Sequence, residues 1–360
     1  MRVLFDCRYV RLERHDGISR YSAELVHELA RHHEVTMLVS DARQLAMLPD
    51  LPHVLGPSPT GPLEPLAARR LRHVDVDVAF SPMQTIGSAG RAWPLVTTVH
   101  DLIYYRHPTP PRNLPAPVRA LWRLYHLSFA PQRMLLNGVD GVVTVSETTR
   151  SLIAEHRLTR RPVAVVPNAA ADLGAPVVHD APPTRRLVYM GSFMPYKDVD
   201  TLVRAAAILP EHELHLCSRV DAAERARLEA VAPGARLVFH DGISDEGYVE
   251  LLRSATAFVH ASHDEGFGIP ILEAMSLGVP AVVADTAIFR EVGGEAALRF
   301  PVGDARALAD AVRALEGAWA ARSRASLAHA ARWSWRDSGE RLARFLEEVV
   351  AGRARAAGRR

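Results

Sequence analysis

The segment His263-Asp-Glu-Gly-Phe-Gly-Ile-Pro-Ile-Leu-Glu-Ala-Met-Ser-Leu-Gly278 follows directly after the apolar, strand-like run Ala257–His260. Gly266 and Gly268 form a loop whose backbone can come close to a ligand, and Pro270 suits the first residue of a helix that Gly278 would end. A helix that begins after a strand presents unpaired N–H groups and about half a positive charge. The segment therefore predicts a site where a diphosphate binds without a metal.

The same order of strand and helix continues along the whole chain, which argues for parallel sheets covered by helices. Ile18, Tyr21, Leu25 and Leu29 recur at one-face helical spacing, so Met1–Val39 is predicted to form a βαβ unit. The strands predicted in the first half are Val3–Cys7, Val35–Val39, Val74–Phe80, Leu95–Val99, Val142–Val145 and Val163–Val166. Those predicted in the second half are Leu187–Met190, Leu214–Cys217, Leu237–His240, Ala257–His260 and Pro280–Ala284.

The 360 residues are too many for one ordinary core and fit two domains of about 150 residues each. We predict an α/β protein with two Rossmann-like, doubly wound parallel sheets facing a central cleft, where open α/β sheets bind ligands. The first domain covers 1–168, and the proline-rich stretch 169–185 is a linker. The second domain covers 186–330, and 331–360 forms a helix that packs back on the first domain and ends in a basic tail.

The composition excludes several classes of protein. With 48% hydrophobic and 23% charged residues the chain is folded rather than disordered, and a net charge of +2 does not demand nucleic acid as a partner. Cys7 and Cys217 are predicted to be reduced core thiols. No apolar run approaches the roughly 18 residues of a membrane span, and no signal peptide is recognisable, so we expect a cytoplasmic protein.

Two carboxylates flank the predicted ligand loop. Glu265 stands in the loop, and Glu273 falls one turn inside the helix, so the two can reach different parts of one extended ligand. A carboxylate is a good bidentate acceptor for neighbouring sugar hydroxyls, which suits Glu273 to a ribose and Glu265 to a hexose. A plain alternative is that Glu273 only favours the helix dipole and Glu265 is a surface acid.

The run from Glu265 to Glu273 resembles the Glu-x7-Glu signature of the retaining glycosyltransferases of family 4, which have the GT-B fold. Further short sequence motifs of that family occur in the same order along nearly the whole chain, at 145–147, 166–168, 191–197, 243–246 and 278–283. The resemblance implies a metal-independent, retaining hexosyltransferase (EC 2.4.1.-) that uses a nucleoside-diphosphate sugar. In that family the acceptor hydroxyl attacks the sugar from its front face, and the leaving phosphate helps to take the acceptor proton.

The resemblance also implies the roles of individual residues. Glu273 would hold the ribose, and Glu265 would meet the transferred sugar. Lys197 would stabilise the charge that grows on the departing diphosphate, although a solvated loop lysine is the alternative. Backbone groups would contact the sugar and the phosphate at Gly266, Phe267, Gly268 and Ile269.

One departure from the family pattern concerns the phosphate site. Many members have Arg where this chain has Ser192, five residues before Lys197. Three accounts are open: the serine is the normal form of one branch, Arg219 or Arg290 replaces the missing cation, or catalysis has been lost. The first is favoured, because Gly-Ser followed by Pro and Lys is similar to bacterial surface-polysaccharide mannosyltransferases. GDP-mannose is therefore the first donor to test.

Two further residues are assigned to the site from the first half. His100 follows the strand Leu95–Val99, and the family carries a histidine there, close to the reacting sugar; Asp101 would orient it, whereas a buried structural histidine is the alternative. Gly17 resembles the family's glycine-rich acceptor-side loop, and its amide would contact phosphate, although Asp16 replaces a second glycine. The remaining histidines are predicted to be structural, among them His126, His215 and His260.

The segment Pro111–Asn137 interleaves apolar side chains with Arg112, Arg119, Arg123 and Arg133. Such a basic amphipathic stretch either lies on the anionic cytoplasmic face of a membrane, where it meets a lipid-linked acceptor, or packs against the first domain. The partners expected are thus a nucleotide sugar and a glycan or lipid-linked acceptor, with peripheral contact to the inner membrane surface.

Other functions remain to be weighed. No G-x-G-x-x-G follows the first strand and no P-loop lysine motif occurs, which argues against dinucleotide oxidoreductases and P-loop NTPases. The alternative from another class is a non-catalytic partner or sensor that binds a nucleotide sugar without transferring it, motivated by Ser192 and Asp16. The base, the acceptor, the linkage and the pathway stay open.

Overall fold

The computed structural model of the protein describes residues 1–84, 86–110, 115–176 and 179–357. The chain divides into two compact units. One contains Met1–Asn168 together with Ser334–Arg360, and the other contains Ala169–Trp333. None of the helices in the described ranges has the length and apolar composition that a membrane span requires.

The first unit alternates strands and helices in this order: β1 (Arg2–Asp6), α1 (Gly17–Ala30), β2 (Glu34–Val39), β3 (His53–Leu55), α2 (Ala67–Arg70), β4 (Val78–Ser81), β5 (Leu95–Val99), α3 (Ile103–Arg106), α4 (Ala116–Tyr125), α5 (Ala130–Asn137), β6 (Gly141–Thr144), α6 (Glu147–Glu155) and β7 (Val163–Val165). Its seven strands pair in parallel in the order β3-β2-β1-β4-β5-β6-β7. In the middle of the sheet, Leu4 pairs with Thr36 on one side and with Ala79 on the other.

The second unit repeats the pattern with β8 (Arg186–Tyr189), α7 (Val199–Ile208), β9 (Glu213–Leu216), α8 (Ala222–Val231), β10 (Leu237–Phe239), α9 (Asp245–Arg253), β11 (Ala257–His260), α10 (Ile269–Ser276), β12 (Ala281–Ala284), α11 (Ala287–Gly293), β13 (Leu298–Phe300), α12 (Ala305–Glu316) and α13 (Trp319–Ala330). Its six strands are also parallel, in the order β10-β9-β8-β11-β12-β13. Helix α14 (Trp335–Ala357) then belongs to the first unit.

Local sequence explains where these elements form. The central strands β5, β6, β11 and β12 are buried at every residue, as expected where helices cover both faces of a parallel sheet. Cys7 and Cys217 are buried free thiols, as predicted. Many helices begin at a side chain that accepts the N–H three residues further on. These caps are Asp16, Ser146, Asp198, Asp221, Ser244, Thr286 and Asp304.

The structure confirms the two predicted parallel sheets and corrects several details. β4 begins at Val78 rather than Val74, because Val74 closes a turn with Leu71 and the Asp77 carboxylate accepts the N–H of Arg2. The strands β3 and β13 were not predicted, since each is a three-residue edge strand with a single neighbour. The predicted linker contains no helix or strand in its described part, 169–176 and 179–185.

Helix α14 packs on α1, so the prediction of a returning C-terminal helix is confirmed. Its buried face consists of the predicted residues, Leu342, Phe345, Leu346 and Val349. At the other end of the helix, the Ser338 hydroxyl donates to the Pro167 carbonyl at 2.8 Å. The predicted basic tail is largely part of this helix, which continues to Ala357.

Gly339 is the point of closest approach between α14 and α1. A Cβ at Gly339 would lie 2.5 Å from the Glu28 Cβ, whereas a Cβ at Gly352 on the same helix would meet nothing within 4 Å. We therefore expect Gly339→Val to lower the free energy of unfolding by about 1–3 kcal/mol, the usual cost of overpacking. Gly352→Val should change it by less than about 0.5 kcal/mol, because valine and glycine differ little in helix propensity. Urea titration measures both, and equal values for the two variants would contradict this packing account.

Candidate active site

A buried ion pair joins two loops of the second unit. The Lys197 ammonium donates to Glu265 Oε1, and the two side chains are only 12% and 11% exposed. Lys197 follows β8 and Glu265 follows β11, which are neighbouring parallel strands. The pair therefore lies at the carboxyl edge of the sheet, where open α/β sheets bind ligands. Lys197 is also the only lysine of the chain; the other 42 basic residues are arginines.

The loop after β8 is shaped to present this lysine. Pro195–Lys197 forms a 3-10 turn that ends at Asp198, whose φ of 46° and ψ of 47° lie in the left-handed region. Such a conformation costs a non-glycine residue on the order of 1 kcal/mol or more, so surrounding contacts must hold it. The Asp198 carboxylate accepts the Thr201 hydroxyl at 2.7 Å and lies 3.2 Å from His263 Nε2.

The two loops are tied to each other through the Tyr196 carbonyl. It accepts the His263 N–H at 2.8 Å and lies 3.3 Å from the Ser262 hydroxyl, which donates at 2.7 Å to the Asp264 carbonyl. The Tyr196 ring centre lies 5.3 Å from the Lys197 ammonium, within the range of a cation–π interaction. These contacts hold the loop that carries Lys197 against the loop that carries Glu265.

His260, the last residue of β11, lies beside the Glu265 carboxylate. Its side chain is buried, its Nδ1 accepts the Ser262 N–H at 3.3 Å, and its Nε2 lies 3.5 Å from Glu265 Oε1. Because Nδ1 is an acceptor, the neutral ring carries its proton on Nε2 and directs it toward Glu265. His260 is predicted from the sequence to be structural. Its place at the end of a central strand, like that of His100 after β5, is the signal that connects it with the candidate site.

Protonation states follow from this burial. Burial lowers the pKa of His260 to about 4, with the Glu265 charge opposing the shift and the Lys197 charge adding to it. Burial raises the pKa of the Glu265 carboxyl, but Lys197 and His260 outweigh burial, so this pKa lies below its ordinary value. At neutral pH the site therefore contains an ionised carboxylate beside a neutral imidazole.

The loop before α10 offers a run of backbone donors. Gly268 has a φ of 98°, a conformation that glycine adopts readily, and it caps the helix. The helix begins at Ile269, one residue before the predicted Pro270, and Gly278 follows its end with a φ of 82°. Because Pro270 has no N–H, the backbone N–H groups that could bind a ligand are those of the residues before it. Over the described residues, no backbone hydrogen bond is donated by Gly266, Phe267, Gly268 or Ile269.

Glu273 lies one turn inside α10, as expected, and is 8% exposed. Tyr248 of α9 is buried, and its hydroxyl has no hydrogen-bond partner within the part of the chain that the structure describes. Burial and then the charges of Glu273 and Cys217 raise the pKa of Tyr248 well above its usual value, so its hydroxyl stays protonated. No sequence pattern singles out Tyr248, because an aromatic residue on a helix face is typical of a core position.

Arg219 and Arg290, the two arginines that could replace a cation missing at position 192, differ in their surroundings. The Ser192 side chain is exposed, and its carbonyl accepts the Tyr189 hydroxyl at 2.7 Å. Arg219 is exposed and follows Ser218, whose hydroxyl accepts the Gly191 N–H at 3.2 Å. Arg290, by contrast, is engaged by Asp285 through two hydrogen bonds of 2.7 Å.

The remaining predicted residues belong to the first unit. His100 is oriented by its Nε2 contact of 2.7 Å with the Pro82 carbonyl, and burial lowers its pKa. Asp101 accepts the Ile103 N–H at 3.0 Å. Gly17 is the exposed first residue of α1, directly after the cap Asp16.

Among the described residues, no group of three or more His, Cys, Asp or Glu side chains is arranged to hold a metal ion.

The buried His260 makes stability depend on pH. An ordinary histidine pKa is near 6.5, so the unfolded chain binds this proton more tightly than the folded chain does. The contribution of His260 to the free energy of unfolding is therefore complete above pH 6.5 and is lost as the pH falls through about 4. The lowered pKa of Glu265 also makes the protein less stable at acidic pH. From pH 7 to pH 5, His260 should account for a loss of about 2 kcal/mol in the free energy of unfolding.

The measurement is urea unfolding at pH 7 and pH 5 for the wild type and for His260→Gln. The loss of unfolding free energy between pH 7 and pH 5 should be smaller in His260→Gln than in the wild type. It should be unchanged in His73→Gln, which alters an exposed histidine of the first unit. An unchanged pH dependence in His260→Gln would show that His260 is not held in its neutral form.

Comparisons with known proteins bear on the whole chain. Residues 15–171 match the family model described as Glycosyltransferase Family 4, and residues 179–332 match the one described as Glycosyl transferases group 1. Among solved structures, sucrose-phosphate synthase from Thermosynechococcus elongatus has a TM-score of 0.72 at 18% identity, covering 98% of this chain and 99% of that one. Anabaena HepE, solved with UDP and glucose, has a TM-score of 0.71 at 18% identity, covering 97% and 100%.

Curated relatives are distant. D-inositol 3-phosphate glycosyltransferase of Mycolicibacterium smegmatis is 28% identical over 64% of this chain and 58% of that protein. O-antigen chain mannosyltransferase B of Escherichia coli is 34% identical over 31% of each chain. This chain thus spans less than two thirds of the length of either relative. The two family models together cover most of the chain, and with its two Rossmann-like sheets the chain belongs to glycosyltransferase family 4, the group 1 glycosyl transferases with the GT-B fold.

Proposed function

We propose that the chain is a retaining glycosyltransferase that moves a hexose from a nucleoside-diphosphate sugar to a hydroxyl of a glycan or glycolipid in cell-envelope or polysaccharide biosynthesis. The observation that carries this proposal is the buried Lys197–Glu265 pair, next to the free amides of Gly266–Ile269. A cation and a run of amides suit a diphosphate, and an ionised carboxylate suits sugar hydroxyls. The two chemistries occur side by side, as one nucleotide sugar requires.

The roles of these groups follow from their charges. In the proposed reaction the bond between the sugar and the diphosphate breaks, and the negative charge that appears on the phosphate oxygen is met by Lys197 and the loop amides. The Glu265 carboxylate, kept ionised by its surroundings and oriented by His260, accepts hydroxyl groups of the transferred hexose. Glu273 holds the ribose. The acceptor oxygen forms the new bond to the anomeric carbon from the face that the diphosphate leaves, and its proton passes to the leaving phosphate.

His100 and Gly17 remain proposed members of the active site, on the strength of the family motifs alone. His100 would act as a neutral group near the reacting sugar, because its buried ring has a lowered pKa. Gly17 would offer its amide to a phosphate at the start of α1. No metal has a part in the proposed transfer.

Mannose from GDP-mannose is the first donor that we propose. Two relatives bear the name of O-antigen chain mannosyltransferase, from Escherichia coli and from Salmonella typhimurium. The name of the mycobacterial relative points to another acceptor class, and HepE was solved with UDP-glucose. A panel of GDP-, UDP- and ADP-sugars with mass detection of products therefore tests the proposal. Tight binding of a donor without any turnover would instead support a non-catalytic sensor, which Ser192 motivates.

Lys197→Ala should lower kcat for the preferred donor by about 100-fold or more, the usual effect of removing one group that stabilises developing charge. Lys197→Arg should also be impaired, because a planar guanidinium does not fit the place of a compact ammonium between the Tyr196 ring and Glu265. Arg204→Ala, which removes an exposed arginine of α7, is the control. Full activity of Lys197→Ala would remove this residue from the mechanism.

The single lysine allows a direct occupancy test. An amine-selective acylating reagent can modify only Lys197 and the terminal amino group, because the other basic residues are arginines. A bound nucleoside diphosphate should protect Lys197 and leave the terminal amine equally reactive, as peptide mass spectrometry would show. Equal labelling of Lys197 with and without nucleotide would place the diphosphate elsewhere.

Tyr248→Phe tests whether the unpaired hydroxyl serves the ligand. Without nucleotide the variant should be as stable as the wild type within about 1 kcal/mol, because no hydrogen bond is lost. Nucleotide affinity should fall about 2- to 10-fold, the value of one hydrogen bond. Tyr189→Phe is the matched control: its hydroxyl has a partner in the Ser192 carbonyl, so this variant should lose stability. Unchanged nucleotide affinity in Tyr248→Phe would exclude the contact.

A further inference from the structure

A buried cluster of charged side chains in the first unit has no part in the proposed reaction. Asp6 ends β1, Arg8 follows two residues later, and Glu64 lies in the connection after β3. All three side chains are buried. A guanidinium has five N–H donors, and here all of them are used. They donate to the Asp6 carboxylate at 2.7 and 3.0 Å, to the Glu64 carboxylate at 2.6 and 3.0 Å, and to the Pro57 carbonyl at 3.0 Å.

Stability alone is a poor explanation for this cluster. Replacing a buried ion network by apolar residues of similar volume is often neutral or even stabilising. A network whose hydrogen bonds are all satisfied instead holds its members in one arrangement. Arg8 joins the connection after β1 to the connection after β3 at the carboxyl edge of the first sheet. The cluster therefore indicates that the backbone at this edge has to be kept in a fixed position.

The hydrogen bonds continue to the neighbouring strand through Ser81. β1 and β4 pair in parallel, so Ser81, the last residue of β4, lies beside Asp6. Its buried hydroxyl donates to Asp6 Oδ2 at 2.9 Å and accepts the Met83 N–H at 3.3 Å. Pro82 lies between Ser81 and Met83, and its carbonyl is 2.7 Å from His100 Nε2. We call the connected side chains the Arg8 network: Asp6, Arg8, Glu64 and Ser81.

The His100 ring also contacts α1. The Tyr21 ring lies edge-on to it, with the ring centres 5.3 Å apart. Burial lowers the pKa of His100, and the Pro82 carbonyl and the charge of Asp16 oppose this shift. Asp16 caps α1 directly before Gly17. Gly17 and His100, both proposed for the active site on family motifs, therefore lie in the same part of the first unit.

We propose that the Arg8 network is a positioning device for His100. It holds the backbone on both sides of Pro82, and the Pro82 carbonyl in turn fixes the imidazole. Because a carbonyl only accepts hydrogen bonds, Nε2 carries the proton of the neutral ring and Nδ1 is left as an acceptor, which suits a sugar hydroxyl. This role rests on the proposed function, which assigns His100 to the active site.

Ser81→Ala tests the proposal by removing one hydroxyl from the network. In NMR spectra of histidine-labelled protein without ligand, the His100 imidazole signal should move; His100→Gln identifies this signal by its loss. The kcat for the preferred donor should fall about 10-fold or more, since small displacements of a positioned group have effects of this size. Arg8→Lys should cause the same changes, because an ammonium has three donors where the guanidinium uses five.

Thr159→Val is the matched control. The Thr159 hydroxyl also donates to one acceptor, the Leu136 carbonyl at 3.1 Å, and accepts the N–H of Arg161, two residues further on, at 3.0 Å. It lies before β7 and outside the Arg8 network. Thr159→Val should therefore lower the urea midpoint of unfolding, as Ser81→Ala does, without moving the His100 signal or changing kcat.

An unmoved His100 signal in Ser81→Ala would overturn the proposal. So would a loss of turnover that Thr159→Val shares, because any loss of stability would then have the same effect. The NMR measurement needs neither donor nor acceptor. A moved signal in a protein that transfers no sugar would contradict the proposed function and leave the contact between the Arg8 network and His100 standing.

Discussion

The candidate site depends on keeping one positive and one negative charge together in a place that water hardly reaches. Removing Lys197 and Glu265 from water costs several kcal/mol per ion, and only their mutual attraction and well-placed hydrogen bonds offset this cost. The protein places the His260 ring beside the carboxylate, and hydrogen bonds to the Tyr196 carbonyl hold the two loops together. A buried ion pair is weak evidence for stability, so its presence at the carboxyl edge of a sheet is better explained by ligand binding.

The parallel sheet explains why these groups converge. β8 and β11 are neighbours in the second unit although a long stretch of chain separates them, so the loops that follow them emerge side by side. One loop holds the ammonium through a left-handed Asp198, and the other places free amides ahead of a helix whose second residue is proline. A diphosphate needs both kinds of donor, and a hexose needs the carboxylate between them.

Use of lysine at position 197 is informative in a chain that otherwise relies on arginine for its basic side chains. A guanidinium is planar and presents its donors in a fixed fork, whereas an ammonium is compact and can turn its three donors toward changing partners. Such freedom suits a cation that pairs with Glu265 and that, in the proposed reaction, turns toward phosphate oxygens.

The sequence by itself determined the two parallel sheets, the returning helix α14 and the local form of the loop from Glu265 to Glu273. These features follow from periodicity, caps and glycines that act over a few residues. Only the tertiary structure brings Lys197 to Glu265 across 68 residues of sequence, places His260 beside the carboxylate and, among the described residues, leaves the Tyr248 hydroxyl without a hydrogen-bond partner. The physical reason is that contacts between distant residues depend on which strands and helices lie side by side, and no local pattern records that choice.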